Sequence, residues 1–384
     1  MKPLSGIRVL DFGLLTAGAN TSAMLADLGA DVVKIESGAY MDPFRAVGQR
    51  DTAPGWWNRS PQYHFTNRNK RGVALNLKHA EGRRLILELA KTCDVVVENF
   101  RRGVLERFGL DYAALKAVNP RIVLASISSQ GDTGPNRLHA SYGSTLDATG
   151  GMAALTGYAD DGLPRISGMD VNYPDQIVSL LASGLVIAAV MNARRTGEGA
   201  LLDISQREIA SFMIGEEIVA AAADPARQTP PRRGNTQDGT ASQGCYRCAD
   251  GRWLAVTVQD SGDEATCNRV TAQAGLAEWS AARAASDAAA QLNAAGIAAA
   301  VVRDGMDLIK ERGLAGDTLA WLEDGGLVKG MPYRFAGAPL VVERRAPDLG
   351  EHTAETLREL LGLDEAALAK LAALGVTSAE PERI

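Results

Sequence analysis

Two carboxylates precede the longest apolar helix that the sequence predicts, which runs from residue 177 to about residue 194. Asp170 ends a Ser-Gly-Met-Asp run, and Asp175 follows Tyr173 and Pro174. Proline is typical of a first helical turn, where the helix dipole favours an ionised carboxylate. Such a carboxylate can attack an activated acyl carbon as a nucleophile, or it can simply cap the helix. Position alone leaves both roles open.

Two groups of basic residues stand beside predicted strands. The first precedes a strand-like run at 73–77, and the second follows a strand that ends at Val97. They consist of Arg68, Lys70 and Arg71, and of Arg101, Arg102 and Arg107. Loops at strand ends are the usual ligand sites of an α/β sheet, and cations recognise phosphates. The two groups therefore predict contacts to a phosphorylated ligand, with solvated surface charge as the alternative.

Two other kinds of site have weak support in the sequence. Gly13 and Gly18 lie in the first βα turn but do not form the G-x-G-x-x-G pattern of a dinucleotide site, although Glu36 ends the next strand. Cys245 and Cys248 form one C-x-x-C without a second pair or a neighbouring histidine pair. We therefore expect neither a bound dinucleotide nor a metal ion.

The elements that must position these residues begin with a βαβ unit. Strands are predicted at 8–12 and 31–36, with a helix at 20–28 between them. The alternation continues with helices at 81–90 and 110–117 and with strands at 94–97 and 121–127. Alternating strands and helices predict a doubly wound α/β fold with a parallel sheet.

The second half of the chain predicts a different organisation. A strand at 200–204 and a helix at 206–222 follow the long helix, and proline and glycine then cluster between 224 and 239. Beyond this break lies a smaller region of mixed strands and helices. We expect a Rossmann-like large domain at 1–224, a small inserted α+β domain at 225–335, and a return to the large domain at 336–384.

Composition and charge exclude several classes of protein. The 384 residues are 46% hydrophobic and 22% charged, which is typical of a globular chain. The net charge of −6 argues against nucleic acid or an anionic membrane as the main partner. The start of the chain lacks a signal-peptide core, and Ser179, Ser183 and Gly184 interrupt the longest apolar stretch. We expect a cytoplasmic protein with neither nucleic-acid nor membrane partners.

Several short motifs stand in a characteristic order along the chain. They are Gly6–Asp11, Ala17-Gly18, Leu25–Glu36, Asn67–Gly72, Asp94–Phe100 with Leu105 and Arg107, Gly131–Pro135, Arg195–Gly199 with Asp203, and Pro347–His352. In this order they resemble the class III CoA-transferases, the family of formyl-CoA:oxalate and carnitine CoA-transferases. The α-methylacyl-CoA racemases share that fold. The resemblance covers nearly the whole chain.

This resemblance implies that Asp175 is the catalytic nucleophile. In the family, the catalytic aspartate precedes the long helix at a fixed distance from an R-x-T-G element. Asp175 precedes Gly197 by 22 positions, which suits the family, whereas Asp170 precedes it by 27. The implied reaction passes through an aspartyl–acyl anhydride and an aspartyl-CoA thioester. Coenzyme A and acyl-CoA would be substrates, with no permanently bound cofactor.

The resemblance and the basic clusters together predict the CoA site. Its residues would be Ala17, Gly18, Asn69, Lys70, Arg71, Asn99, Phe100, Arg101, Arg102, Arg107 and Tyr142. The segment 234–239 stands near the place of a glycine loop that shields the aspartate in the family, but it has fewer glycines. It is a candidate lid, with an ordinary linker as the alternative.

Three functions are compatible with this resemblance. The Tyr-Pro-Asp motif resembles a branch that acts on benzylsuccinate and related dicarboxylates, with succinyl-CoA as donor. Racemases instead pair a histidine with the aspartate. The alignment places Tyr142 at that position, and His139 lies three residues earlier. Because family members form interlaced dimers, we expect a homodimer or a heteromer with a homologous subunit. A non-catalytic subunit of such a heteromer is the third possibility.

Overall fold

Six parallel strands form the central sheet of the described chain. The computed structural model describes residues 2–48, 53–159, 162–167, 171–224, 226, 232–311, 318–322 and 326–382. The strands are β1 (Arg8–Asp11), β2 (Asp31–Glu36), β3 (Arg71–Ala74), β4 (Val95–Glu98), β5 (Val123–Ser128) and β6 (Ala200–Ser205). Their order is β3-β2-β1-β4-β5-β6. The strand order reverses between β1 and β4, and open α/β sheets bind ligands at the carboxyl ends of such a pair.

Helices connect and follow these strands. They are α1 (Ala17–Asp27), α2 (Pro61–Asn67), α3 (Ala80–Ala90), α4 (Val104–Arg107), α5 (Tyr112–Val118), α6 (Gly143–Thr149), α7 (Met152–Leu155), α8 (Tyr173–Thr196), α9 (Gln206–Phe212) and α10 (Gly215–Ala223). Short 3-10 turns occur at Pro43–Arg45 and Trp56–Asn58. The single helix predicted at 206–222 is thus two helices. The break falls just before Gly215, because glycine weakens a helix interior.

The chain divides into two compact units. The second unit consists of Ala153–Arg165 and Ile218–Ala315, and the first holds the remainder. In the second unit, the antiparallel strands β7 (Ser242–Arg247), β8 (Trp253–Val258) and β9 (Ala298–Val301) form one sheet. Its helices are α11 (Ser261–Val270), α12 (Leu276–Ala281), α13 (Ala285–Ala294) and α14 (Gly305–Lys310). The division at 218 and 315 differs from the predicted boundaries at 225 and 335.

The C-terminal part of the chain belongs to the first unit. It contains an antiparallel hairpin of β10 (Leu319–Trp321) and β11 (Leu327–Lys329), followed by α15 (Thr353–Leu361) and α16 (Glu365–Ala373). The Rossmann-like fold with a smaller inserted α+β region is therefore confirmed.

Apolar side chains bury both faces of the parallel sheet. Leu10 and Val96 pack on one face, against α3, α5, α15 and α16. Val9 and Val97 pack on the other face, against α1 and α8. Consecutive strand residues point to opposite faces, so a strand covered on both sides must be apolar throughout. This explains the continuous apolar runs that the sequence shows at β1 and β4.

Helix α8 is long and apolar enough to cross a membrane by length and composition alone. In the structure, however, one of its faces is buried against α1 and β5. Core helices of globular proteins satisfy the same criterion, so the observation is weak evidence for a membrane span.

Buried ion pairs connect residues at the ends of the strands with the neighbouring loops. The Lys70 Nζ lies 2.9 Å from the Asp11 Oδ2, and neither side chain is exposed. The Arg45 Nη2 lies 2.8 Å from the Glu36 Oε2, and this pair is also buried. Removing one partner of a buried pair costs about 3–5 kcal/mol, because the other charge is left uncompensated. These pairs therefore hold the site's framework in place.

Candidate active site

A cavity of about 1440 Å³ opens at the carboxyl ends of β1 and β4, within the first unit. Its walls come from the loops that follow β1, β2, β3, β4 and β5 and from the start of α8. This is the edge where the strand order reverses, so the fold itself creates the space.

The loop after β1 is held rigidly against the loop after β4. The backbone N–H of Leu14 donates to the Asn99 Oδ1 at 2.7 Å, and the Asn99 Nδ2 donates to the Leu14 carbonyl at 3.0 Å. Gly18 lies directly behind this amide: a Cβ at Gly18 would approach the Asn99 Oδ1 to 2.5 Å. A residue with a side chain at Gly18 would therefore displace Asn99.

Asp175 lies in the first turn of α8 and lines the cavity. The helix begins after Asn172, whose φ of 46° turns the chain into the helix. The Asp175 Oδ2 lies 2.9 Å from the position that a Cβ on Gly143 would occupy. The first residue of α6 must therefore be small to leave room for this carboxylate.

Burial, and to a smaller extent the nearby Asp147 carboxylate, raise the pKa of Asp175 to about 7. From the sequence we expected the helix dipole to keep Asp175 ionised. That prediction of the pKa shift is wrong in direction, because enclosure and a like charge outweigh the dipole. Asp147 is fixed by Ser167, whose backbone N–H and Oγ donate to its Oδ2 at 2.8 and 2.5 Å. A carboxyl group with a pKa near 7 is half ionised at neutral pH and can act as a nucleophile.

Amide side chains surround the start of α8. The Gln176 Oε1 accepts from the Asn20 Nδ2 at 2.8 Å and from the Lys329 Nζ at 3.3 Å. Gln206, which also lines the cavity, has a buried Oε1 without a hydrogen-bond partner in the described chain. The neighbourhood of Asp175 can thus donate and accept hydrogen bonds.

Seven of the predicted site residues line this cavity. They are Ala17, Asn99, Phe100, Arg101, Arg102, Tyr142 and Asp175. Arg101 and Tyr142 are exposed at its surface. Arg102 is less available, because its guanidinium donates to the Ser126 Oγ and pairs with Asp203.

The remaining predicted residues do not line the cavity in the described chain. They are Gly18, Asn69, Lys70, Arg71 and Arg107. Lys70 is fully buried in its pair with Asp11, and Arg71 pairs with Asp31 and Glu359.

The other two polar residues of this set also lie elsewhere. The Asn69 Nδ2 donates to the Asp27 Oδ1 at 2.9 Å, and Arg107 is exposed on α4. The predicted phosphate contacts of Lys70 and Arg71 conflict with this geometry, since both side chains already neutralise carboxylates.

Two cavity-lining cations were missed by the sequence reasoning. Lys78 follows β3 and Arg137 lies in the loop after β5, and both are exposed. The signal that selected Arg101, a cation just beyond the carboxyl end of a parallel strand, also applies to them.

Other sequence-based candidates have mixed outcomes. Asp170 lies outside the described residues. His139 lines the cavity together with Tyr142. The candidate lid at 234–239 belongs to the second unit, where the Asn235 Nδ2 donates to the Tyr158 hydroxyl at 3.2 Å. Its role as a lid stays a prediction.

Comparison with known proteins identifies the class. The profile of CoA-transferase family III matches residues 4–271 and 259–353. The succinate–glutarate CoA-transferase of Agrobacterium fabrum is 31% identical over 95% of this chain and 97% of its own length. The beta subunit of succinyl-CoA–L-malate CoA-transferase of Chloroflexus aurantiacus is 30% identical over 94% of this chain and 95% of its own.

A solved structure supports the same assignment. The crystal structure of a CAIB/BAIF family protein from Brucella suis superposes with a TM-score of 0.83, at 28% identity, over 94% of this chain and 99% of that one. The chain belongs to CoA-transferase family III, and it is a CoA-transferase. The family predicted from the sequence motifs is thus confirmed.

The pKa of Asp175 predicts the pH dependence of transfer. If Asp175 is the nucleophile, only its ionised form can attack, so kcat/KM should rise with pH through about 7 and level off above it. Asp147→Asn removes the like charge and should move this rise to lower pH, by about one unit or less, since burial is the larger cause. Steady-state rates between pH 5.5 and 8.5 measure both profiles. A wild-type rate that falls with pH, or an unshifted variant, contradicts this account.

Proposed function

We propose that this enzyme transfers CoA from succinyl-CoA to a dicarboxylic acid, with Asp175 as the nucleophile. The observation that carries the proposal is the Asp175 carboxylate, which faces a large cavity at the sheet's switch point. Two of the relatives are named for CoA transfer involving glutarate and L-malate, which favours a dicarboxylate acceptor. Benzylsuccinate, which the sequence motif suggests, belongs to the same chemical class.

The proposed reaction has four steps. The Asp175 carboxylate attacks the thioester carbonyl carbon, and the C–S bond breaks to give an aspartyl–acyl anhydride and CoA thiolate. The thiolate then attacks the aspartyl carbonyl carbon and releases the donor acid as its carboxylate. The acceptor carboxylate attacks the carbonyl carbon of the resulting aspartyl-CoA thioester. This step expels the thiolate and forms a second anhydride, between Asp175 and the acceptor. Attack of the thiolate on the acceptor's acyl carbon gives the new acyl-CoA and regenerates Asp175.

Both anhydrides hydrolyse readily, so water must be kept from Asp175 during turnover. Within the first unit, Gly143 and α6 close one side of this carboxylate. The segment at 234–239 is our candidate for the mobile cover. It contains Gly234 and Gly239, both with positive φ, at which glycine allows the chain to turn.

The CoA phosphates would bind to the cations at the cavity's surface. Lys78, Arg101 and Arg137 are exposed, line the cavity and follow three different strands. Lys70 and Arg71 are already engaged in ion pairs, which argues against this role for them. Phosphate oxygens accept several hydrogen bonds, so cations converging from separate loops suit a ligand with three phosphate groups.

Neutralising these cations tests the placement of CoA. Lys78→Met, Arg101→Met and Arg137→Met should each weaken CoA binding by about 1.5–3 kcal/mol if the residue contacts a phosphate. Titration calorimetry with CoA and with dephospho-CoA identifies the residue that contacts the 3′-phosphate, because its variant loses more affinity for CoA than for dephospho-CoA. Lys91→Met is the matched control, because Lys91 is an exposed cation outside the cavity. Wild-type affinity in all three variants would place the CoA site elsewhere.

An interlaced dimer would cover the apolar surface of the first unit. Leu180, Leu181, Leu185 and Met191 lie exposed on one side of α8, and Met191 is 68% exposed. Phe212 at the end of α9 is 75% exposed. Contiguous exposed apolar residues of this kind mark interaction surfaces. We propose that a second copy, or a homologous subunit like the alpha and beta subunits named for Chloroflexus, occupies this face.

Dilution separates a dimer from a stable monomer. Because an interlaced pair buries a large interface, its folding and assembly are coupled, and no folded monomer should exist at nanomolar concentration. Sedimentation with fluorescence detection, combined with circular dichroism of the same samples, measures this. A folded, active monomer would refute the proposed assembly.

Replacing the nucleophile tests the mechanism directly. Asp175→Asn keeps the shape of the side chain and removes its charge, so transfer should fall below about one thousandth of the wild-type rate while CoA still binds. Asp287→Asn is the matched control, because Asp287 also lies in a first helical turn but in α13, away from the cavity. Incubation with succinyl-CoA and then hydroxylamine should modify Asp175 in the wild type, as peptide mass spectrometry can locate.

Other outcomes of this experiment identify the alternatives. A label at Asp170 would make that residue the nucleophile. Steady exchange of the α-proton into deuterated water without CoA transfer would identify a racemase. Absence of both activities, with transfer restored by a homologous chain, would identify a non-catalytic subunit.

A further inference from the structure

Gln176 follows Asp175 directly at the start of α8 and lines the same cavity. The Cα atoms of consecutive residues are about 3.8 Å apart, so the two side chains begin next to each other. The four proposed steps do not involve Gln176. Its side chain ends in a neutral amide, whose oxygen accepts hydrogen bonds and whose nitrogen donates them. The orientation of this amide therefore decides what it can do for a reaction at Asp175.

Two donors fix that orientation. The Gln176 Oε1 accepts from the Asn20 Nδ2 at 2.8 Å and from the Lys329 Nζ at 3.3 Å. An ammonium group can only donate, so the atom of the amide that faces Lys329 must be the oxygen. The reverse orientation would place two donors against each other. The amide nitrogen of Gln176 is therefore the end that is left for another partner.

The groups that bind the amide oxygen are themselves anchored. Asn20 is fully buried in α1. The Lys329 Nζ lies 5.1 Å from the centre of the Phe65 ring, and an aromatic face attracts a cation at this distance. A charged donor at the oxygen also polarises the amide, which strengthens its N–H groups as donors. Lys329 thus both orients the Gln176 amide and makes it a better donor.

The Gln176 Nε2 is available to a ligand. It donates to no group in the described chain, and it is not buried. It is not bonded to the Asp175 carboxylate, whose pKa is raised by burial and by Asp147 and is lowered by no hydrogen bond in the described chain. An oriented amide N–H2 that lines a cavity beside a nucleophile can form part of an oxyanion hole.

The proposed reaction places negative charge on a particular oxygen. When the Asp175 carboxylate adds to the thioester carbonyl carbon, an electron pair of the C=O bond moves to the acyl oxygen, and it returns when the C–S bond breaks. The same oxyanion forms in the last step, when the thiolate attacks the acceptor's acyl carbon. We propose that the Gln176 Nε2 donates a hydrogen bond to this acyl oxygen, and that Lys329 is the positioning residue that orients the amide. This inference rests on the function proposed above and adds a catalytic residue to the same site.

Exchange of isotope-labelled succinate into succinyl-CoA tests the donor without requiring a known acceptor. Gln176→Met should lower kcat about 100- to 1000-fold, the usual loss for one oxyanion donor, with a much smaller change in the KM for succinyl-CoA. Gln176→Glu should also lose most of its kcat, because its carboxylate still accepts from Asn20 and Lys329 but cannot donate. Each kcat is taken on the plateau of that variant's pH profile, so that a change in the pKa of Asp175 does not contribute. Gln291→Met is the matched control, since Gln291 is exposed on α13, outside the cavity.

Lys329→Met tests the positioning role. Asn20 still binds the amide oxygen in this variant, so kcat should fall about 3- to 10-fold, less than in Gln176→Met. In the double variant, the loss should equal that of Gln176→Met alone, because Lys329 acts only through the amide. Lys329→Arg keeps a cationic donor and should recover most of the rate. Losses that add in the double variant would contradict the positioning role.

Failure of this inference can be distinguished from failure of the proposed function. If wild type exchanges no succinate, both fail together. If wild type exchanges succinate and Asp175→Asn does not, but both Gln176 variants keep the wild-type kcat, the donor is refuted and the nucleophile stands. A low kcat in Gln176→Met with a wild-type kcat in Gln176→Glu would make the role of Gln176 structural and refute the donor. Titration calorimetry with CoA shows that each variant is folded.

Discussion

The buried carboxylate of Asp11 is the constraint on which the rest of the site depends. Its Oδ1 accepts from the Gly13 N–H at 2.7 Å, and its Oδ2 accepts from the Lys70 Nζ at 2.9 Å. One side chain at the end of β1 thus fixes the first βα turn and the approach to β3. Burial lowers the pKa of Lys70 to about 8, against the opposing attraction of Asp11. The turn held in this way hydrogen-bonds with Asn99 on the neighbouring loop through Leu14.

Helix α8 performs two tasks whose physical requirements conflict. Its buried face packs with α1 against the sheet, which places Asp175 in a partly enclosed pocket. In the proposed mechanism, enclosure would protect the anhydrides from water, but it also raises the pKa of the Asp175 carboxylate, which would have to be ionised to attack. The nearby Asp147 carboxylate also raises this pKa. A pKa of about 7 still leaves a substantial fraction of Asp175 ionised at neutral pH.

The cations of the predicted basic clusters serve different ends that their sequence positions do not distinguish. Lys70 and Arg71 neutralise buried or half-buried aspartates, Arg102 joins β4 to β6 through Asp203, and Arg101 faces the cavity. A cation that pairs with a carboxylate is already neutralised. Only cations without such a partner are therefore available to bind phosphates. The neighbours of each cation in the predicted clusters therefore decide whether it stabilises the fold or is available to bind a ligand.

The sequence alone determined the α/β class, the family and the position of Asp175 in the first turn of α8. These depend on local periodicity, on Pro174 and on motif order, all of which are readable along the chain. Tertiary structure decided which cations line the cavity, why residue 143 is glycine, and how Asp147 comes close to Asp175. Those properties arise from contacts between residues distant in sequence, and burial and pairing, which change the pKa and availability of a charge, exist only once the chain is folded.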